Sequence, residues 1–197
     1  MTSIVSTLSV AQVRNLSTTA ITNFTTEDIE ALSAQQVAVL SATQVAAVEA
    51  DDFEAMSEEQ LAAISAPAVK GLTVDQIAVL DTAKIESLSK TQVAALTATQ
   101  LDAFSTEQMG ALTEDQVGGL TAAQVATISD EEIAEFSTDE IAAISTKAIS
   151  GLTTAAVAAL STDQVGALTT GQVAALKATQ IAALTTDQVE ALSTDQI

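Results

Sequence analysis

Leu160-Ser161-Thr162-Asp163-Gln164-Val165-Gly166-Ala167 runs straight into Leu168-Thr169-Thr170-Gly171-Gln172-Val173-Ala174-Ala175. The same eight-residue pattern continues from Leu8 to the last residue without an insertion or a deletion. An unbroken short period means one structural unit copied along an axis. Numbered from its leucine, the octad has a large apolar residue at position one: Leu8, Leu16, Phe24, Leu32, Leu40, Val48, Met56 and Ile64 begin the series. Position six is as regular, with Val13, Ile21, Ile29, Val37, Val45, Phe53 and Leu61. Position two is Ser or Thr except at Glu49, Asp81 and Lys177. Position five is usually Gln, and position eight is usually small.

A continuous α-helix cannot carry this period. Eight residues turn through about 800°, overshooting two full turns by about 80°, so the apolar stripe would wind round the helix. The chain must change direction once per octad, and position two shows where. Ser or Thr followed three residues later by Gln is a capping-box pattern. Ser161 would accept from the N–H of Gln164, and Gln164 would reach back to the N–H of Ser161. The residues after the cap are helix-tolerant. Each octad therefore predicts one helix of about five to seven residues. The acids fit this register: 18 of the 26 Asp and Glu fall at positions three to five, in the first helical turn, where negative charge is favoured. Pro67 also falls in a first turn, where its missing N–H costs little.

The predicted fold is all-α: a superhelical α-solenoid of about 24 octads with an aliphatic core and a Ser/Thr/Asp/Gln exterior. A β-solenoid is the alternative, but positions one and six would face opposite sides of a strand, and Ala and Gln are poor strand formers. One octad cannot fold alone. Its two buried side chains contribute about 1.5–3 kcal/mol each, against about 1–2 kcal/mol of ordering entropy for each of eight residues. Stacked copies close that gap. Residues 1–197 read as a single continuous array with no linker. The array ends at Ile197, six residues into an octad, and is expected to be a fragment of a longer protein or an end that meets another chain.

Composition removes several function classes. The net charge is −20, and the six basic residues (Arg14, Lys70, Lys84, Lys90, Lys147, Lys177) are scattered, so no track exists for nucleic-acid phosphates. No apolar run approaches a membrane span. Residues 1–7 lack the basic and apolar regions of a general secretory signal. His, Cys, Tyr and Trp are absent, which excludes Ser-His and Cys-His nucleophile systems and the common zinc sites. The chain is therefore expected to be no enzyme, with no catalytic residue, no cofactor site and no metal site. Acid runs at Asp51-Asp52, Glu58-Glu59, Glu114-Asp115 and Asp130-Glu131-Glu132 offer Ca²⁺ the oxygen ligands it favours. Without a calcium-loop motif they read as solvated helix starts.

Two resemblances follow from these residues. Leu184-Thr185-Thr186-Asp187-Gln188-Val189-Glu190-Ala191-Leu192 resembles the first helix of a TAL-effector repeat. The second helix and the base-reading loop of that family are missing, and the charge has the wrong sign for DNA. Over nearly its whole length the chain resembles the Leu-Thr-Thr-x-Gln-Val-x-Ala arrays of large bacterial secreted and surface proteins, often labelled adhesion or heme utilisation. That resemblance implies a structural rod or spacer in an adhesion-type protein, placed at the cell surface or outside the cell by a route other than general secretion; a cytoplasmic location is the alternative. Met56 and Met109 are the only candidates for the heme part of the label, and both hold core positions. The other functions in view are a filament subunit that joins itself end to end, and a binding module presenting its Thr/Gln/Asp face to a protein, a glycan or Ca²⁺.

Overall fold

A computed structural model describes residues 5–197; residues 1–4, within the stretch that lacks the features of a secretory signal, lie outside the described residues. Every regular element among the described residues is helical, in 22 short α-helices and two 3-10 turns. The helices are four to six residues long, slightly shorter than the sequence suggests. The predicted α-solenoid is the fold observed, and the β alternative falls away. Contacts divide the chain into two compact units, Met1–Phe104 and Ser105–Ile197.

Helix entry follows the capping chemistry. Ser89 is extended (φ −71°, ψ 154°) and opens helix Lys90–Ala95; its Oγ accepts from Gln92 N, while Gln92 Oε1 accepts from Ser89 N. The two arms are unequal. The return bond from Ser89 N to Gln92 Oε1 is 2.8 Å, whereas Gln92 N to Ser89 Oγ is 3.3 Å. Thr73 and Gln76 show the same order, 2.9 and 3.1 Å. The exceptions at position two behave as their chemistry dictates. Asp81 still caps through its carboxylate, accepting from Lys84 N at 2.8 Å, and Glu49 makes no side-chain cap. Replacing Ser89 by Ala is expected to cost about 1 kcal/mol, read as a shift of the urea midpoint; an unchanged midpoint would show that the glutamine arm alone sets the cap.

Helices end by geometry rather than by glycine. No described residue has positive φ. The chain instead turns extended at position one, as at Leu88 (φ −65°, ψ 135°) and Leu160 (φ −56°, ψ 137°). The N–H of position one then donates to the carbonyl of position six, 3.2 Å from Leu88 to Ile85. Position one thus closes one helix and leads into the next cap.

Within the first unit, helix Glu58–Ala63 packs on Thr82–Ser87, and Ala66–Val69 on Lys90–Ala95. Within the second, Thr138–Ala143 packs on Thr162–Ala167, and Asp130–Glu135 on Thr154–Ala159. Each partner lies three octads further on. Side-chain bonds described below reach back 28 to 31 residues, so one turn of the solenoid takes between three and four octads. Positions one and six fill the core. Val37, Val45, Phe53, Leu61, Val69 and Ile77 are fully buried, and Phe104 and Phe136 are buried fillers at position one. Phe24 is only half-buried. Three octads depart from the pattern: Val5–Thr7 and Ile149–Gly151 form 3-10 turns rather than α-helices, and residues 192–197 form a turn closed by Gln196 N to Ser193 O at 3.0 Å.

Candidate functional site

The octad pattern places Gln on the exterior, and the structure overturns this. Gln at position five belongs to the interior, not to the exterior. Gln36, Gln44, Gln60, Gln76, Gln92 and Gln100 in the first unit are buried, as are Gln164, Gln172, Gln180 and Gln188 in the second. Burying a primary amide is costly unless each of its polar atoms finds a partner. Each amide here does. Its oxygen takes the cap N–H of its own octad, and its nitrogen crosses to the neighbouring coil.

Gln76 illustrates the arrangement. Its Nε2 donates to Val45 O at 2.8 Å and to Val48 O at 2.7 Å. Those carbonyls belong to positions six and one, flanking the bend between two helices. Gln60 does the same to Ile29 O and Leu32 O, both at 2.7 Å. Gln92 reaches Leu61 O and Ile64 O at 2.8 Å. In the second unit Gln164 bonds Ile133 O and Phe136 O at 2.9 and 2.7 Å, and Gln172 bonds Ile141 O and Ile144 O at 2.7 Å. The amide therefore fixes a helix start in one coil to a helix end in the previous one. Helix-end carbonyls lack an intrahelical partner, so the glutamines satisfy the groups that a chain bending every eight residues leaves open. No buried side-chain N or O atom among the described residues lacks a partner.

The sequence pattern could have shown this. A capping box accepts Glu as readily as Gln, yet Gln outnumbers Glu fifteen to two at position five. Only the amide has N–H groups to give away. Lys84 supports the same point. It stands at position five, and its ammonium donates to Glu54 O of the preceding coil.

The acidic candidates do not converge. Asp51, Glu58, Glu59, Glu114, Asp115, Asp130 and Glu131 are exposed. Asp52 accepts from Thr26 Oγ1 at 2.7 Å, and the buried Glu132 accepts from Ser129 N and Oγ at 2.7 and 2.9 Å. No group of three or more acidic side chains among the described residues is arranged to hold a metal ion. Met56 and Met109 are packed into the core, 1% and 0% exposed. Lys147 is exposed. No helix among the described residues is long and apolar enough to cross a membrane.

A family profile described as the ALTTAQ repeat matches residues 45–82, 85–122, 133–170 and 168–197. The first three matches begin at Val45, Ile85 and Ile133, all at position six, so the profile and the octad share one register. No curated protein shows a significant match.

Proposed function

Because the chain belongs to the ALTTAQ repeat family, we propose that it is a structural repeat segment: a spacer or scaffold within a large bacterial surface or secreted protein of adhesion type, without catalysis. One observation carries this reading. The polar residues that recur in every octad are taken up by the fold, with hydroxyls as caps, acids at helix starts and glutamines as links between coils. What remains on the surface is an acidic coat that keeps the array dissolved and repels nucleic acid and anionic membranes. Its partners in this reading are other surface proteins, engaged by domains that the array holds at a distance.

A spacer is judged by length and not by the identity of its surface residues. Installed between a bacterial surface anchor and a ligand-binding module, the chain is expected to support capture of a recessed ligand. Capture should fall as whole octads are deleted. It should return when the same number of consensus octads replaces them. Capture that depends on particular native octads, and not on their number, would overturn the spacer reading in favour of a binding face.

A further inference from the structure

Asn15 and Asn23 are the two asparagines of the chain, and both stand at position eight of the octad. The register completes a motif around them. Two residues after position eight comes position two, the Ser/Thr cap of the next helix, so the chain reads Asn15-Leu16-Ser17 and Asn23-Phe24-Thr25. Asn-x-Ser/Thr, with x other than Pro, is the acceptor sequence for an N-linked sugar. The fold presents both triplets on bends. Asn15 (φ −97°, ψ 7°) ends helix Val10–Arg14, and Ser17 (φ −70°, ψ 154°) opens helix Thr18–Thr22. Asn23 (φ −92°, ψ 5°) ends that helix, and Thr25 (φ −100°, ψ 166°) opens Thr26–Glu30. All four polar residues are exposed, and Leu16 and Phe24 between them are half-buried. Glu135 holds position eight on helix Asp130–Glu135, which packs on both Thr106–Gly110 and Thr154–Ala159, and it too is exposed. A long polar side chain at this position therefore reaches solvent even with coils packed on both sides.

We propose that Asn15 and Asn23 are acceptor sites for an N-linked sugar, modified by a transferase that recognises Asn-x-Ser/Thr and draws on a diphosphate-activated sugar. In the transfer Nδ2 bonds to C1 of the sugar and the bond from C1 to the diphosphate oxygen breaks. The diphosphate leaves with the electron pair, and the amide gives up one proton. Both amides are placed to accept this change. Asn15 Nδ2 donates to Ala11 O at 2.8 Å and Asn23 Nδ2 donates to Thr19 O at 2.7 Å. An amide nitrogen of this kind carries two hydrogens. The sugar replaces one, and the other can keep the bond to the helix-end carbonyl. Capping alone does not call for asparagine, since the next helix, Thr26–Glu30, ends on Ala31. The hydroxyl that the motif requires is also at hand. Ser17 Oγ accepts from Ala20 N at 3.1 Å, and with Ala at position five there is no side-chain oxygen in that octad position to take its hydrogen. The inference stands apart from the spacer reading, because it concerns two side chains and not what the array holds.

Two arms test this on the intact folded chain. In one it is incubated with a soluble Asn-x-Ser/Thr glucosyltransferase and UDP-glucose. In the other it meets a membrane oligosaccharyltransferase and its lipid-diphosphate-linked oligosaccharide. Intact and fragment mass spectra are expected to show two added sugar units in at least one arm, mapped to Asn15 and Asn23, and the arm that succeeds identifies the donor. Asn15→Gln and Asn23→Gln should each lose one unit with the circular dichroism unchanged. Ser17→Ala should lose the unit at Asn15 although the asparagine is still present, and Ser17→Thr should keep it. Loosening the helix cap by Ser17→Ala would only expose Asn15 further, so that loss reports the acceptor sequence and not the fold. No transfer in either arm, transfer only to the urea-unfolded chain, or transfer to Asn15 that is indifferent to Ser17→Ala would each overturn the proposal and leave the asparagines as helix caps.

Discussion

Gln76→Glu is expected to remove about 2–5 kcal/mol of unfolding free energy at neutral pH, from a change of one atom. The variant keeps the capping arm, since a carboxylate oxygen can accept from Thr73 N as the amide does now. It loses both donors. Val45 O and Val48 O are left without their side-chain partner, and the second carboxylate oxygen faces them at a site only 1% exposed. An unsatisfied buried carbonyl costs about 1–3 kcal/mol; Val48 O is left in that state, Val45 O keeps only the N–H of Val48 at 3.2 Å, and the buried carboxylate adds its own desolvation cost. The pH dependence has a definite sign. Burial beside two carbonyl oxygens disfavours the charged form, so the new carboxyl's folded-state pKa lies above its unfolded value of about 4.3. The folded variant then holds a proton that the unfolded chain has released. The defect relative to the parent should therefore shrink as pH falls toward 4, and grow as pH rises through the raised value. Gln12→Glu is the control at the same octad position. Gln12 is exposed and, among the described residues, serves its own cap at Ser9, and the change should stay within about 0.5 kcal/mol. Paired urea titrations of parent and variants at two pH values read all of this. Equal losses at Gln76 and Gln12 would reduce the glutamines to caps.

The native sequence already contains the substitution in a milder setting. Glu140 occupies position five in the second unit and returns one oxygen to Ser137 N at 2.7 Å. Glu140 is half-buried, and Glu132, the other position-five glutamate, is buried but keeps 8% exposure against 1% at Gln76, so neither carboxylate is as sealed as one at Gln76 would be. The contrast shows why the loss at Gln76 should be large: the site, and not the residue type, decides whether a carboxylate is tolerated.

Periodicity made the helical solenoid readable because an octad cannot follow a straight helix and because the Ser/Thr-to-Gln spacing marks each helix start. The core followed as well, since positions one and six are apolar throughout. Two features escaped this reasoning for the same physical reason. The number of octads per turn and the partner of the glutamine nitrogen both concern residues about 30 positions apart. An eight-residue pattern repeats identically whether three or four units close a turn, so it carries no information about which unit sits beneath which. The glutamines were placed outside because a polar side chain on a short helix is ordinarily solvated. What reverses that expectation is supply. A chain that bends every eight residues opens carbonyls at each bend, and the interior must contain donors for them. Lys84, standing in for Gln and reaching Glu54 O, shows that the requirement is for a donor rather than for an amide.

Gly71→Ala should be the most damaging single-methyl addition in the first unit, and its rescue tests what sets the spacing of the coils. An added Cβ at Gly71 would lie 1.9 Å from Ala42 O, 2.5 Å from its carbonyl carbon and 2.7 Å from its Cα, all backbone atoms. The glycine is not there for its backbone freedom, because no described glycine has positive φ. It is there for space, and the reason lies three residues earlier. Position five of this octad is Ala68 rather than Gln, buried at 2%. No amide stands between the coils here, and the backbone at 71 lies against the backbone at 42; Ala156, a third buried alanine at position five, is followed by Ala159 rather than by glycine, so the link between the missing amide and the glycine is what the variants below test. The same pairing recurs ten octads on, where Ala148 is buried at 1% and a Cβ on Gly151 would lie 2.2 Å from Ala122 O. Overpacking of this kind costs about 1–3 kcal/mol, and rigid backbone on the other side places the expected loss at the upper end. Gly166→Ala should act in the opposite direction. Its Cβ would meet Ala191 O at an ordinary 3.6 Å, and Ala inside helix Thr162–Ala167 gains about 0.5–1 kcal/mol over Gly. The decisive variant is Ala68→Gln in the Gly71→Ala background. A glutamine there can donate to Val37 O and Leu40 O, the carbonyls 31 and 28 residues back that the other amides use, and so reopen the gap. The double variant is expected to be more stable than Gly71→Ala alone by thermal melting. A double variant no better than the single one would show that the glycine answers to something other than the missing amide.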